Sequence, residues 1–269
     1  MNLLQRRRFL MTLSAGTTMM IPGWALAKNE LWMPEDDLPL TPQQVEGPFY
    51  PETTIEQQLY NDTDLRQKLG NHEFAKGQSV VVEGAIKNQK GEPVNEAIVE
   101  VWQACSTGRY NHSRDDKNPS LLDNNFQFWG RVITGQDGRY QFLTIVPGKY
   151  PGRTARHIHF RIDANGYRRS TTQCYFSEFG EDNLRDGLYR RLDRKGRDLV
   201  TVELDKPSDA NNDDASSNSN QAKSKKANAA NEQARTADKS EPRQKTAKSK
   251  KTTIEQPWRG TFDIVIAKS

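Results

Sequence analysis

The sequence predicts an all-β protein: an antiparallel β-sandwich with an irregular N-terminal arm and a long disordered insertion before the last strand. Two observations indicate this class. Many short runs rich in β-branched and aromatic residues are separated by Gly, Asn and Asp turn signals, and almost no segment has helical periodicity. The predicted strands are 80–86, 97–102, 130–134, 139–143, 157–163, 171–176, 199–204 and 261–267.

The first 27 residues are predicted to be an export signal. Three arginines at 6–8 precede a moderately apolar run, and residues 25–27 (ALA) have the small-x-small pattern of a cleavage site. The paired arginines resemble a twin-arginine signal, which would place the protein in a bacterial periplasm; an ordinary secretory leader is the alternative. Because Gly16 and Pro22 interrupt the short apolar run, we expect no stable membrane anchor.

The next segment, 28–77, is predicted to be an arm that wraps a domain, because prolines recur along it. A polar stretch of this arm, 63–69, is compatible with a short helix. The sandwich itself is expected to span 78–206 plus 254–269. Within it, the Asp-Gly at 137–138 predicts a hairpin between the flanking strands, and the Asn-Gly at 165–166 predicts the turn that joins the next two.

Residues 207–253 are predicted to be the disordered, low-complexity insertion, since they hold almost no apolar side chain larger than alanine. Residues 209–253 carry ten Lys/Arg and six Asp/Glu, so 10 − 6 = +4 accounts for the whole net charge of +4. Removing the three leader arginines as well leaves 4 − 4 − 3 = −3 on the rest. That charge argues against a nucleic-acid surface on the fold.

Cys105 and Cys174 are the two cysteines of the chain. In an oxidising compartment they would pair if their Cα atoms lay close enough. As two small buried hydrophobic residues they need no partner, and the sequence leaves both interpretations open.

Four side chains are candidates for a metal site: Tyr110, Tyr150, His157 and His159. The two histidines alternate in a predicted strand, so both imidazoles point to one face. Two phenols and two imidazoles form a mixed oxygen and nitrogen set that suits trivalent iron. A lone His-x-His or a pair of tyrosines is weak evidence, because strand surfaces and cores carry both.

The surrounding motifs make the signal much more specific. In chain order they are EGPFY at 46–50, VWQA at 101–104, GRY at 108–110, DGRY at 137–140, PGKYP at 147–151, HIHF at 157–160 and TQCYF at 172–176. Together they resemble the intradiol ring-cleavage dioxygenases, and most closely the iron-bearing chain of the protocatechuate-cleaving members. The resemblance spans about 41–204 and the final strand.

This resemblance implies a non-haem Fe(III) enzyme. Tyr110 and His159 would be equatorial ligands, and Tyr150 and His157 axial ones. The substrates would be a small catechol and O2, the product a cis,cis-muconate-type acid, and Tyr150 would also accept a substrate proton. The resemblance further implies either a homo-oligomer or pairing with a related chain.

A charge-stabilising arginine is expected from the same resemblance, three residues before the first histidine. That position is Thr154 here, with Arg153 and Arg156 on either side. We favour Arg153, because it continues the loop that begins at Tyr150. Gln173 is implied to line the substrate cavity.

Two alternatives remain at this point. One is a noncatalytic, transthyretin-like β-sandwich that binds a ligand, which would leave the two tyrosines and two histidines without a joint role. The other is a degenerate family member that binds iron but has lost activity through the altered arginine spacing.

Overall fold

Two β-sheets pack face to face in the computed structural model, which describes residues 37–51, 62–207 and 256–269. The strands of this part are β1 (Ser79–Asn88), β2 (Ile98–Trp102), β3 (Trp129–Ile133), β4 (Arg139–Ile145), β5 (His157–Asp163), β6 (Ser170–Phe176), β7 (Thr201–Val202), β8 (Trp258–Thr261) and β9 (Ile264–Ile266). Its helices are α1 (Gly180–Arg185), α2 (Gly187–Arg191) and α3 (Arg194–Val200). The predicted all-β sandwich is confirmed.

The two sheets are mixed rather than purely antiparallel. One has the order β4-β1-β8 with β9 also on β1, and the other has the order β3-β2-β5-β6-β7. Four pairings are antiparallel as predicted, whereas three are parallel and differ from the prediction. In these three, β8 and β9 both run parallel to β1, and β7 runs parallel to β6. The chain reaches each of these positions through a long connection, which a parallel pairing requires.

The core lies between the sheets and is rich in aromatic rings. Phe160 of β5 contacts Phe142 of the opposite sheet with ring centroids 6.4 Å apart, and Phe262 at 5.1 Å. Ile158 and Ile162, two positions before and after Phe160, lie on the same buried face of β5. Since successive side chains of a strand point to opposite faces, the two histidines of β5 must point away from this core.

Four local predictions are wrong, each because tertiary packing overrides a local signal. The predicted last strand 261–267 is instead two strands, β8 and β9, interrupted at 262–263. The Gly135–Gly138 turn forms, but β3 and β4 on either side of it belong to different sheets, so it is no hairpin. Residues 63–69 form no helix; residues 63–65 instead hydrogen-bond to Leu143 at the edge of β4. The predicted strand 199–204 begins inside α3 and continues as the two-residue β7. The three helices that precede it have no counterpart in the prediction.

The turn at Asn165-Gly166 does join β5 to β6, and the two strands pair antiparallel as predicted. The predicted leader 1–27 lies outside the described residues, as does nearly all of the insertion 207–253. The segments before and after the insertion are hydrogen-bonded to each other. The Asp205 amide donates to the Arg259 carbonyl at 2.7 Å, and the Arg259 amide donates to the Asp205 carbonyl at 2.9 Å. Segments entering and leaving the insertion are therefore neighbours.

Both cysteines are buried and free. Each belongs to the core between the sheets, so the interpretation as small buried hydrophobes holds and the pairing does not. No helix in the described ranges is long and apolar enough to cross a bilayer.

Replacing Phe160 by alanine should lower the free energy of unfolding by about 3–5 kcal/mol, because the ring is fully buried between the sheets. Urea denaturation measures this loss. The control is Ile133→Ala, since Ile133 is 58% exposed at the end of β3 and should cost about 0.5 kcal/mol or less. Equal losses in the two variants would contradict the assigned core.

Candidate metal centre

The histidines lie on the outer face of the five-stranded sheet. Ile158 and Phe160 of β5 point into the core, whereas His157 and His159 point outward, each only 2% exposed. They are buried there because the N-terminal arm and the loops around the two tyrosines cover this face. The sequence-predicted alternation of β5 is therefore present in the structure.

Strand register decides which side chains flank the two imidazoles. In β2, Trp102 is the partner of His159, and its indole stacks on that imidazole with centroids 4.7 Å apart and planes 7° from parallel. In β6, Gln173 is the partner of His159 and Tyr175 that of His157. All three flanking side chains share the outer face with the histidines.

Tyr110 and Tyr150 come from two loops that meet backbone to backbone. Gly108 has φ +83°, and a Cβ there would lie 1.7 Å from the carbonyl oxygen of Lys149. A Cβ on Gly148 would lie 2.2 Å from the Gly108 nitrogen. Only glycine fits at these positions, and the close approach of the loops sets the two phenols side by side.

The four predicted ligands form one continuous group of rings. Ring centroids are 5.4 Å apart for Tyr110 and Tyr150, 5.6 Å for Tyr150 and His157, and 4.9 Å for His157 and His159. The described residues contain no group of three or more His, Cys, Asp and Glu side chains able to hold a metal. A metal at this site would therefore need the phenol oxygens as well as the two imidazoles.

The tautomer of His157 is fixed by its backbone neighbour. Its Nδ1 lies 2.8 Å from the Ala155 carbonyl oxygen, which can only accept, so Nδ1 carries the hydrogen. The lone pair is then on Nε2, which lies 3.3 Å from the Tyr150 hydroxyl and 3.2 Å from Nη1 of Arg153. A histidine held in this way presents Nε2 to a metal.

Both imidazoles are kept neutral by their surroundings. Burial lowers the pKa of His157 to about 3, and the charge of Arg153 adds to the effect. Burial also lowers the pKa of His159 well below its usual range, with further contributions from His157 and Arg153. Neutral imidazole is the form that binds a metal ion.

The phenols are protonated in the absence of a cation. Burial raises the pKa of Tyr110 well above its usual value, with Tyr150 beside it adding to the shift. Burial also raises the pKa of Tyr150, an effect that Arg153 partly opposes. Among the described residues, the buried Tyr110 hydroxyl and Nδ1 of His159 have no well-formed hydrogen bond. A trivalent cation would stabilise the phenolates and supply a partner for the orphaned oxygen, so this donor set fits ferric iron.

Aromatic and glycine residues shape the space around the group. The Phe49 ring stacks on Tyr110 at 4.5 Å and meets Tyr150 edge to face at 5.6 Å. Gly47 has φ +75°, and a Cβ there would lie 3.9 Å from Nε2 of His159. The Gly47 backbone therefore lies next to the Cε1–Nε2 edge of the His159 imidazole.

Arg153 reaches the same group, although its spacing in the sequence differs from that expected. Besides its contact with His157, its Nη2 donates to Oε1 of Gln173 at 2.9 Å and lies 3.3 Å from the Tyr175 hydroxyl. Its Nε donates to a carboxylate oxygen of Asp186 at 2.7 Å. A guanidinium, a neutral imidazole, a phenol and an amide therefore converge within hydrogen-bond distance.

Arg156 points elsewhere. Its Nη1 donates to the carbonyl oxygen of Pro147 at 2.8 Å, and its guanidinium lies over the Phe179 ring at 4.7 Å. Neither of these contacts involves the tyrosines or histidines of the group. Of the two candidate arginines, Arg153 is the one that the fold brings to the site.

Sequence reasoning does not identify Asp186, Trp102 or Phe49 as site residues. Trp102 and Phe49 lie in recognisable motifs, but a buried aromatic residue is most simply a core residue. Asp186 precedes a helix, and an Asp in that position signals an N-cap. No sequence feature connects it with Arg153, which is 33 positions away.

Comparison with known proteins gives a family match over most of the described chain. A family model described as Dioxygenase matches residues 45–215, which is more than half of the chain. The protocatechuate 3,4-dioxygenase beta chain of Burkholderia cepacia is 39% identical over 122 residues, covering 43% of this chain and 52% of that one. Catechol 1,2-dioxygenase 1 of Acinetobacter lwoffii is 30% identical over 151 residues, covering 49% and 45%. The chain thus spans about half the length of these relatives.

A solved structure is similar in fold. The dioxygenase domain of a dioxygenase carbohydrate-binding protein fusion from Streptomyces sp. SirexAA-E superposes with a TM-score of 0.53, covering 86% of this chain and all of that one. The identity between the two is 23%, so this likeness concerns the fold alone.

Gly108→Ala should separate the two tyrosine loops, because its Cβ would overlap the Lys149 carbonyl. We expect a lower melting temperature and a loss of bound iron in metal analysis. The control is Gly166→Ala, since Gly166 has φ +81° but no atom near its Cβ position, so it shares the backbone strain without the overlap. If both variants kept equal amounts of iron, the loop contact would not set the site.

Proposed function

This chain belongs to the intradiol ring-cleavage dioxygenase family, and from that premise we propose that it is a non-haem Fe(III) enzyme that cleaves a catechol with O2. Tyr110, Tyr150, His157 and His159 would hold the ion. The proposal rests on the observation that these four rings are neighbours, that Tyr110 and both histidines are buried and Tyr150 partly buried, and that both imidazoles are neutral. The product would be a cis,cis-muconate-type acid containing both oxygen atoms of O2.

Ferric iron, when bound, would draw electron density from a chelated catechol so that a ring carbon reacts with O2. The chain's own residues bind and orient that catechol. The Tyr150 oxygen lies 3.3 Å from Nε2 of His157 and, once a phenolate, would take a proton from a substrate hydroxyl. Phe49 and Trp102 form apolar walls that exclude water and strengthen the electrostatic interactions inside.

Arg153 would stabilise the negative charge that develops on the ring. Its side chain is 12% exposed, and a fixed guanidinium in a dry site needs little reorganisation during the reaction. Gln173, which accepts a hydrogen bond from Arg153 and donates to the Val45 carbonyl at 3.1 Å, would line the same cavity.

The alternatives explain fewer of these contacts. A ligand-binding sandwich does not require two neutral buried imidazoles next to two phenols. It also does not explain why the Tyr110 hydroxyl lacks a well-formed hydrogen-bond partner among the described residues. A degenerate enzyme does not require Arg153 at the site, yet the guanidinium contacts both His157 and Gln173.

We also propose that the protein is exported through the twin-arginine-like leader and acts in the periplasm. Such export carries folded proteins, so iron would be loaded before transport. Since one similar protein is named as a beta chain, we propose that this chain assembles with itself or with a related chain. Cell fractionation and the mass of the native particle address these two points.

The iron-loaded protein should be coloured, because phenolate bound to Fe(III) absorbs visible light. Tyr110→Phe should change this absorption and weaken iron binding by at least about tenfold, as loss of a direct ligand exceeds typical losses from outer contacts. Visible spectra and iron titration measure both effects. The control is Tyr140→Phe, which removes a buried hydroxyl bonded to the Phe262 carbonyl and should change stability by about 1 kcal/mol without affecting colour. A colourless wild-type protein after iron supplementation would refute the proposal.

Arg153→Ala should lower kcat/KM about 10²- to 10³-fold, because the developing charge loses its fixed partner. Oxygen uptake on a panel of catechol, protocatechuate and hydroxyquinol, with product identification, measures the effect. Arg156→Ala serves as the control and should retain turnover. The assignment of Arg153 would be wrong if its alanine variant kept wild-type turnover or if only Arg156→Ala lost it.

A further inference from the structure

Asp186 is a buried carboxylate with two separate sets of contacts. Its side chain is fully buried. One oxygen, Oδ1, accepts from the amides of Leu188 and Tyr189 at 3.0 and 3.2 Å and so caps α2. The other, Oδ2, lies 2.7 Å from Nε of Arg153. The residue therefore connects the start of a helix to the candidate site.

We propose that Asp186 is a positioning residue that fixes the Arg153 guanidinium so that its two terminal nitrogens face the reacting group. This inference rests on the proposed function. The contacts of Asp186 are with the Arg153 side chain, with the Ala155 amide and with the amides at the start of α2, so Asp186 acts through Arg153.

The geometry of the guanidinium supports this role. Arginine presents its donors in a rigid planar fork, so holding Nε fixes the directions of Nη1 and Nη2. With Nε on Asp186, Nη1 points to Nε2 of His157 and Nη2 to Oε1 of Gln173. Without the carboxylate, the side chain would lose the contact that sets its rotation.

Helix capping alone does not account for a carboxylate at this position. Asn and Ser cap helices about as well as Asp, and a buried charge costs several kcal/mol unless it is paired. Burial would raise the pKa of Asp186, but the hydrogen bond and charge of Arg153 outweigh this and lower it. Arg153 is thus the partner that makes an ionised residue favourable here.

The loop that carries Arg153 contacts the segment around Asp186 at two points: Thr154 Oγ1 donates to the Asp182 carbonyl at 3.0 Å, and Arg153 pairs with Asp186. Gly152 before it has φ +86° and open space around its Cβ position. The Arg153 amide donates to the Tyr150 carbonyl at 3.0 Å, closing a tight turn. The Ala155 amide approaches Oδ2 of Asp186 at 3.4 Å, so the same carboxylate also contacts the backbone that orients His157.

Asp186→Asn tests the proposal, because Asn keeps the cap but removes the charge that faces Nε. We expect kcat/KM to fall about a hundredfold, as displacement of a positioned group by about 1 Å does elsewhere, with iron content unchanged. In the Arg153→Ala background the same change should have little further effect. The matched control is Asp193→Asn, since Asp193 caps α3 through the Gly196 amide at 2.7 Å and has no arginine partner at the site. It should leave kcat/KM unchanged.

A second measurement does not depend on activity. In wild-type protein the Arg153 Nε–H signal, identified by its loss in Arg153→Ala, should be protected from solvent exchange in NMR spectra. Asp186→Asn should remove that protection and Asp193→Asn should not. If Asp186→Asn does not fold, Asp186→Glu takes its place, with a smaller loss of turnover and of protection.

The outcomes separate the two claims. The positioning role would be overturned if Asp186→Asn kept wild-type turnover, or if it lowered kcat/KM equally in the wild-type and Arg153→Ala backgrounds. It would also be overturned if the Arg153 Nε–H of the wild type were not protected from exchange. Absence of iron binding and of turnover in the wild type would overturn the proposed function instead, while the exchange measurement would still decide whether Asp186 holds Arg153.

Discussion

The candidate site depends on the hydrogen-bonded register of β5 with the strands on either side of it. Because side chains alternate along a strand, this register directs Ile158 and Phe160 into the core and both histidines outward. A slip of one residue would exchange the two faces and place imidazoles in the core. Core packing and the site are thus two consequences of one pairing. The hydrophobic face of β5 fixes the position of its polar face.

Burial then sets the chemistry of the side chains that the register brings together. Removing water keeps both imidazoles neutral and both phenols protonated. The two imidazoles and two phenols are therefore uncharged in the absence of a cation. Binding of a cation by the phenol oxygens must release their protons. The charge of Arg153 is tolerated in the same environment because Asp186 compensates for it. The site thus combines a candidate metal-binding group with a separate, paired guanidinium.

The features that could be predicted from the sequence are those with a local signal. Alternation in β5 identified the histidine face, and the glycine- and tyrosine-bearing loop motifs identified Tyr110 and Tyr150. Features that depend on contacts between distant segments could not be predicted. The turn at 135–138 has a hairpin sequence, but β3 before it pairs with β2 and β4 after it pairs with β1, in different sheets. The Arg153–Asp186 pair belongs to the same class, as does the stacking of Trp102 on His159. The helices at 180–200 are only five to seven residues long, so they have little periodicity to detect.

The central claim is that two phenol oxygens and two imidazole nitrogens converge on one ferric ion. Anomalous diffraction at the iron edge, from crystals of the iron-loaded protein, tests it most directly. The account predicts one strong peak within bonding distance of the Tyr110 and Tyr150 oxygens and of a ring nitrogen of both His157 and His159. A peak elsewhere, or a site in which these four side chains point away from the ion, would contradict it.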